Sequence, residues 1–102
     1  FSNEFETAKY IMNEVLNDLQ GSRFVLDVNG NEVYVLYAED KKTIDLYSTY
    51  TPPPLRGQGL AAKVVLAAFK HAKEKNLKVI PSCWYVRKFI EKHPEFRTIV
   101  LD

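Results

Sequence analysis

The sequence predicts an α/β (α+β) domain, and three observations carry that expectation. Residues 22–50 hold three strand-like runs separated by turn signals. A glycine-bearing turn then opens a long amphipathic helix. A short apolar strand and a second helix complete the pattern. A three-stranded meander followed by a strand–helix–strand unit makes a mixed sheet with helices packed on it.

The 102 residues fit one domain, 1–102,. Hydrophobic residues make up 46% and charged residues 26%, an ordinary globular composition,. The formal net charge of +1 gives no reason to expect a nucleic-acid or membrane-surface partner,. The single cysteine excludes an internal disulfide and fits a reducing compartment, so the expected location is intracellular and cytoplasmic,. The two histidines, His71 and His93, form no zinc-type cluster with it, and no metal is expected,. No signal peptide is visible, and no apolar run approaches the roughly 20 residues that a membrane span requires,.

Taken in order, residues 3–20 read as a helix. Phe5, Ala8, Met12, Val15, Leu16 and Leu19 recur at helical spacing, Asn3 with Glu6 reads as a capping pair, and Gly21 as the stop,. Its apolar stripe either docks on the core or receives a protein partner. Phe24, Leu26 and Val28 alternate as a first strand. Asn29-Gly30-Asn31 is a hairpin signal, because Asn-Gly tolerates the positive φ angles of tight turns,. Residues 32–38 form a second strand. The polar run 39–42 is a further loop, and residues 43–50 form a third strand with Ile44 and Leu46 on one face,.

Pro52-Pro53-Pro54 ends that strand, since proline cannot donate to a ladder,. A helix is expected from about Gln58 to Lys75, with Leu60, Ala61, Val64, Val65, Ala68, Phe69 and Ala72 on its apolar face and Asn76 as its stop,. Residues 77–80 form a strand parallel to the third, reached by a crossover. Residues 84–93 form a second helix, with Trp84, Val86, Phe89 and Ile90 as its apolar members. Pro94 breaks it, and residues 98–101 read as a last short strand.

The chemistry-bearing segment is Thr49-Tyr50-Thr51-Pro52-Pro53-Pro54-Leu55-Arg56-Gly57-Gln58-Gly59-Leu60-Ala61. A strand runs into a turn that opens a helix. The first N–H groups of a helix lack internal partners and carry the positive end of its dipole, so they form an anion site. Gly57 and Gly59 let phosphate oxygens approach closely, and Arg56 adds a forked cation. Paired glycines also serve as plain helix caps, and neither standard nucleotide motif is present.

Arg56-x-x-Gly59-x-Ala61 resembles the Arg/Gln-x-x-Gly-x-Gly/Ala motif of the GNAT superfamily of acetyl-CoA-dependent N-acyltransferases. Asp45-Leu46, Thr49-Tyr50, Pro52, Val79-Ile80-Pro81-Ser82-Cys83, Tyr85-Val86 and His93-Pro94 extend the likeness to a small single-domain GNAT-like subfamily. The resemblance covers residues 22–102; residues 1–21 stand outside it as an additional N-terminal helix.

The resemblance implies a compact fold whose mixed central sheet splays open between two parallel strands, the third strand and the strand at 77–82. Coenzyme A or acetyl-CoA would enter that wedge. Its pantetheine arm would pair with Thr49, Tyr50 and Thr51, and its pyrophosphate would sit on Arg56, Gly57, Gln58, Gly59, Leu60 and Ala61. Tyr85 is expected beside the coenzyme. Lys88, like Lys63, either reaches the phosphates or is a solvated surface charge.

The implied activity is acetyl transfer to an unidentified amine, a small molecule or a protein. The alternative is a non-catalytic acetyl-CoA-binding module. Many relatives use a helix tyrosine as proton donor, and the alignment places Ile90 there. Ser48 stands where the small subfamily commonly has histidine. Cys83, at the start of the second helix, is the catalytic candidate. It is a nucleophile, a lining of the acyl pocket, or a small core residue. Asp45, between Ile44 and Leu46, is expected on the other face of the sheet.

Overall fold

A computed structural model describes residues 14–101 of the chain. Its strands are β1 (Leu16–Asp18), β2 (Arg23–Val28), β3 (Asn31–Glu39), β4 (Thr43–Tyr50) and β5 (Lys78–Ile80). Helix α1 spans Leu60–Glu74 and helix α2 spans Trp84–Lys92, with 3-10 turns at Pro53–Leu55 and Pro94–Ile99. The strands form one sheet in the order β1-β2-β3-β4-β5. The first four pair antiparallel, and β5 joins β4 in parallel. The α/β class, the meander and the parallel crossover expected from the sequence are all present.

The β2–β3 hairpin closes through Asn29 and Gly30, both at positive φ (54° and 85°), and Val28 pairs with Asn31. Those angles match the right-handed twist of the flanking strands. Asp27 Oδ1 accepts the Gly30 N–H at 2.8 Å and fixes the turn. In the β3–β4 loop a single carboxylate organises the chain: Asp40 Oδ1 accepts the N–H groups of Lys42 and Thr43 at 2.8 and 2.7 Å. These bonds favour its ionised form, so its pKa is lowered,.

One face of the sheet is apolar at every second position. Phe24 and Leu26, Val33, Val35 and Tyr37, and Ile44 and Leu46 are buried beneath α1, which contributes Val64, Val65, Ala68, Phe69 and Ala72. Helix α2 adds Val86, Phe89 and Ile90. Phe69 is the hub: its ring lies 5.4 Å from that of Phe89 and 5.0 Å from that of Phe96.

Three expectations need correction. Residues 16–20 are not helical: Leu16–Asp18 is the edge strand β1, and Leu19 to Ser22 make a turn. Local polar chemistry overrides the apolar spacing there. Asp18 accepts the Gly21 N–H at 3.0 Å and the Arg23 Nε at 2.9 Å, and Tyr37 Oη donates to Asn17 Oδ1 at 2.6 Å. Asn and Asp compete with helical backbone bonding in just this way. Leu16 and Leu19 are 59% and 75% exposed, so they do not belong to a core-facing stripe. The earlier part of the expected helix, with its capping pair, lies outside the described residues. Second, the last strand is reduced to one parallel bridge, Val79 with Val100, because Pro94–Ile99 coils as 3-10 helix. Third, Trp84 does not join the buried face of α2; it is exposed.

Candidate functional site

The site is made by a ladder that stops early. β4 and β5 pair at Thr43↔Lys78, Ile44↔Val79 and Asp45↔Ile80. Pro81 follows and has no N–H to give, and the Ser82 N–H turns back to the Ile80 carbonyl at 3.0 Å,. One more backbone bond, from Cys83 N–H to the Leu46 carbonyl at 3.0 Å, ties the start of α2 to β4. Beyond it β4 continues to Tyr50 without a partner on that side.

A β-bulge adds to the opening. The β3–β4 register passes from Tyr37↔Leu46 to Leu36↔Ser48, which leaves Tyr47 unpaired and exposed. A bulge bends its strand and increases the local twist. The chain then leaves β4 through Pro52, turns at Pro53–Leu55, and enters α1 through Gly57 and Gly59.

Those glycines take φ of +82° and +74°, a region that costs other residues steric strain,. A Cβ at either position would meet nothing within 4 Å, so the turn faces open space. Gly59 caps α1 without any side-chain hydrogen bond, and no acidic residue lies in the first helical turn. The leading N–H groups of α1 are therefore free for an anion. Arg56 Nε donates to the Thr51 carbonyl at 2.9 Å, a tie that braces the loop.

A cleft of about 340 Å³ is walled by Thr49, Tyr50, Thr51, Arg56 and Ala61, with Trp84 and Tyr85 opposite. A second cleft, of about 250 Å³, shares Thr51, Arg56, Ala61 and Tyr85 with it and adds Gly57, Gly59, Leu60 and Leu55. Together they form one groove from the open seam to the α1 start. Of the sequence candidates, Gln58, Lys88 and Cys83 line neither part; the first two are exposed and Cys83 is buried. Trp84 and Leu55 line the groove and were not among the candidates. Trp84's place beside Cys83 at a helix start was the signal available in the sequence.

Cys83 lies behind Thr49, which walls the groove. It is buried, it caps α2, and its Sγ lies 3.1 Å from Thr49 Oγ1. Burial pushes its pKa up. The hydrogen bond from the Thr49 hydroxyl and the nearby N–H dipoles of Val86 and Tyr85 outweigh that effect, and the net pKa is lowered. This is how a helix start favours a thiolate. Burial raises the pKa of the Tyr85 phenol, which keeps it protonated. Ile90 is buried in the core. His71 bonds Glu39 through Nε2 to Oε1 at 2.8 Å, and its ring packs on Phe24, far along the sheet from the groove. Among the described residues no cluster of His, Cys, Asp and Glu could hold a metal ion, and no helix is long and apolar enough to cross a membrane.

Comparison with known proteins agrees with this geometry. The chain is 34% identical over 83 residues to Protein NATD1 of Xenopus tropicalis, covering 78% of this chain and 76% of that protein. It is 31% identical over 83 residues to Protein NATD1 of Homo sapiens, covering 78% and 74%. The solution structure of a GCN5-like protein from Staphylococcus aureus superposes with a TM-score of 0.67 at 27% identity, covering 87% of this chain and 88% of that one. The model of the GCN5-related N-acetyl-transferase family matches residues 23–99. The family match and these likenesses in sequence and fold show that the chain belongs to the GCN5-related N-acetyltransferase family, which generally uses acetyl-CoA for acetyl transfer.

Proposed function

We propose that the chain binds acetyl-CoA in the groove between β4 and α2 and transfers the acetyl group to an amine. One observation carries the reading: an uncapped helix start, reached through two positive-φ glycines, opens onto the place where β4 and β5 part. The pyrophosphate is held by the N–H groups of residues 57–61, with the Arg56 guanidinium beside them. The unpaired edge of β4 at Thr49, Tyr50 and Thr51 offers backbone groups to the amides of the pantetheine arm. Tyr85 forms the opposite wall. The exposed side chains of Gln58 and Lys88 line no part of the groove.

In this reading Cys83 is the reactive group. Its Sγ attacks the thioester carbonyl carbon, a new S–C bond forms, and the bond to the coenzyme sulfur breaks. The Cys83 proton ends on the departing thiol, and the acceptor amine then takes the acetyl group and restores the cysteine. The Thr49 hydroxyl and the α2 N–H groups hold the thiolate before attack. A second reading, a non-catalytic acetyl-CoA-binding module, is favoured by Ile90: an apolar, buried residue stands where relatives commonly place a proton-donating tyrosine.

Calorimetric titration with coenzyme A and acetyl-CoA, followed by intact-mass measurement, separates the readings. Gly59→Glu puts a side chain and a negative charge into the phosphate site. It should weaken coenzyme binding at least tenfold, since each bond to a charged group is worth about 1.5–3 kcal/mol. Unchanged affinity in a folded Gly59→Glu protein overturns the site. An acetyl adduct that vanishes in Cys83→Ala supports the covalent path. Normal binding with no adduct and no acetylated amine supports the module.

A further inference from the structure

We infer that Arg87 is a positioning residue of the groove: it clamps the link between β5 and α2, and so holds the Cys83 thiol against Thr49 and the α2 wall of the groove in place; this rests on the acetyl-CoA-binding reading above. Arg87 Nη1 donates to the Pro81 carbonyl at 2.8 Å and to the Ser82 carbonyl at 2.9 Å. The Arg87 backbone N–H donates to the Cys83 carbonyl at 3.2 Å. One residue thus takes up three consecutive carbonyls.

The clamp sits where the backbone is short of partners. Ile80 makes the last β4–β5 pair, Pro81 has no N–H to give, and the Ser82 N–H turns back to the Ile80 carbonyl,. Carbonyls that have left a ladder need another donor. Water can serve an exposed carbonyl, but it does not fix the path of the chain. A guanidinium with two bonds from one nitrogen does.

Helix stability alone does not account for an arginine at this position. It is among the first four residues of α2, where a cation opposes the helix dipole,. Its side chain is exposed, and among the described residues no carboxylate forms an ion pair with it. Its side-chain hydrogen bonds there are the two to the link.

The link carries the site. Cys83 is pinned on both sides, by its N–H to the Leu46 carbonyl at 3.0 Å and by its carbonyl to Arg87. Between these bonds it is extended, at φ −80° and ψ 134°, with its Sγ 3.1 Å from Thr49 Oγ1. Trp84 and Tyr85 follow at once and form the groove wall opposite β4. The bonds that fix the cysteine therefore also fix the wall. Arg87 lines neither part of the groove, so it acts through these neighbours.

The test compares wild type, Arg87→Met and Arg87→Lys. Two readouts are used: the pH midpoint of iodoacetamide addition to Cys83, by intact mass, and the affinity for coenzyme A, by calorimetry. Methionine keeps an apolar stem and removes the donors. Lysine returns one nitrogen with three donors, and one nitrogen makes both side-chain bonds here,. Both readouts are taken at about 0.1 M and about 1 M sodium chloride, between which the screening length falls from roughly 10 to 3 Å. A remote charge acting on the thiol is screened by that change, and a clamp is not. Arg87→Met should raise the midpoint at both salt concentrations. It should also weaken coenzyme binding about three- to tenfold, because a wall that must be ordered on binding costs affinity. Arg87→Lys should recover most of both effects. An unmoved midpoint or an unchanged affinity in Arg87→Met overturns the inference. So does a midpoint shift that vanishes at high salt, or a lysine variant as impaired as the methionine one. Failure of the wild-type chain to bind coenzyme A sinks the acetyl-CoA reading itself, and the alkylation profiles then judge the clamp on the thiol alone.

Discussion

Thr49→Val isolates the one hydroxyl that touches the cysteine, because valine keeps the shape and removes the oxygen. The Thr49 Oγ1 to Cys83 Sγ distance is 3.1 Å, and this bond leads the contributions that lower the thiol pKa against the effect of burial. A hydrogen bond to a charged group is worth about 1.5–3 kcal/mol. Its loss should therefore cut the thiolate population near neutral pH by roughly ten- to a hundredfold. The intrinsic reactivity of a thiolate rises as its basicity rises, with a Brønsted slope of about 0.4–0.5. The two effects partly cancel, and alkylation at pH 7 should slow by only about three- to tenfold. The sign then reverses: at alkaline pH, where both proteins are deprotonated, the variant should react faster than the wild type. The assay is the rate of iodoacetamide addition by intact mass across pH 6–9.5, and the chain's single cysteine makes the product unambiguous. A general loosening of the site would speed labelling at every pH. Superimposable pH profiles, or a midpoint that moves down, would refute the assignment of Thr49 as a thiolate donor.

The edge and the centre of the sheet should differ sharply in urea denaturation. Leu16→Ala, at a position 59% exposed, should change stability by no more than about 0.5 kcal/mol,. Phe69→Ala, fully buried among three elements, should cost about 3–5 kcal/mol,; equal costs would return Leu16 to the core. Tyr37→Phe removes the 2.6 Å bond to Asn17 that holds β1 on the sheet. It should cost about 1 kcal/mol and speed amide exchange in β1 more than in β3; uniform exchange across the two strands would mean that β1 is held by its backbone pairing alone.

The parts of the fold that were legible in the sequence are those governed by short-range backbone chemistry. Asn29-Gly30 closes its hairpin at positive φ because few other pairs adopt those angles so cheaply,. The alternation in Val33, Val35 and Tyr37, and the run from Val64 to Ala72, each bury one face at the expected period. The stretch around Leu16 was misread because apolar spacing over a few residues does not distinguish a helix from an edge strand. The deciding contacts there come from Arg23 and Tyr37, and the latter lies 20 residues from its partner Asn17. Trp84 was misplaced for a related reason. A large apolar residue at the first position of a helix precedes the stripe, and here it faces the groove instead of the core.

The groove and the seam differ in the same way. The wall of the groove from β4 to α1 is built from residues contiguous in the chain, Thr49 to Ala61, so a strand, a proline stop and a glycine turn in sequence order were enough to outline it. The opening of the seam itself is assembled across strands. It depends on facts that no local pattern contains: β5 runs parallel beside β4, Pro81 ends the ladder one residue after the Asp45↔Ile80 pair, and the β3–β4 register shifts at the bulge. Proline does at the seam what three prolines do after β4. It withholds an N–H, and the backbone groups left without a strand partner become the edge that a ligand can use. If this account is right, lengthening the ladder should close the groove. Pro81→Val restores an N–H and a strand-forming side chain beside Leu46. In a folded protein it should reduce coenzyme affinity while raising the melting temperature. A variant that binds coenzyme as the wild type does would show that the opening is set by the bulge at Tyr47 and the turn at Pro53–Leu55, with Pro81 only a bystander.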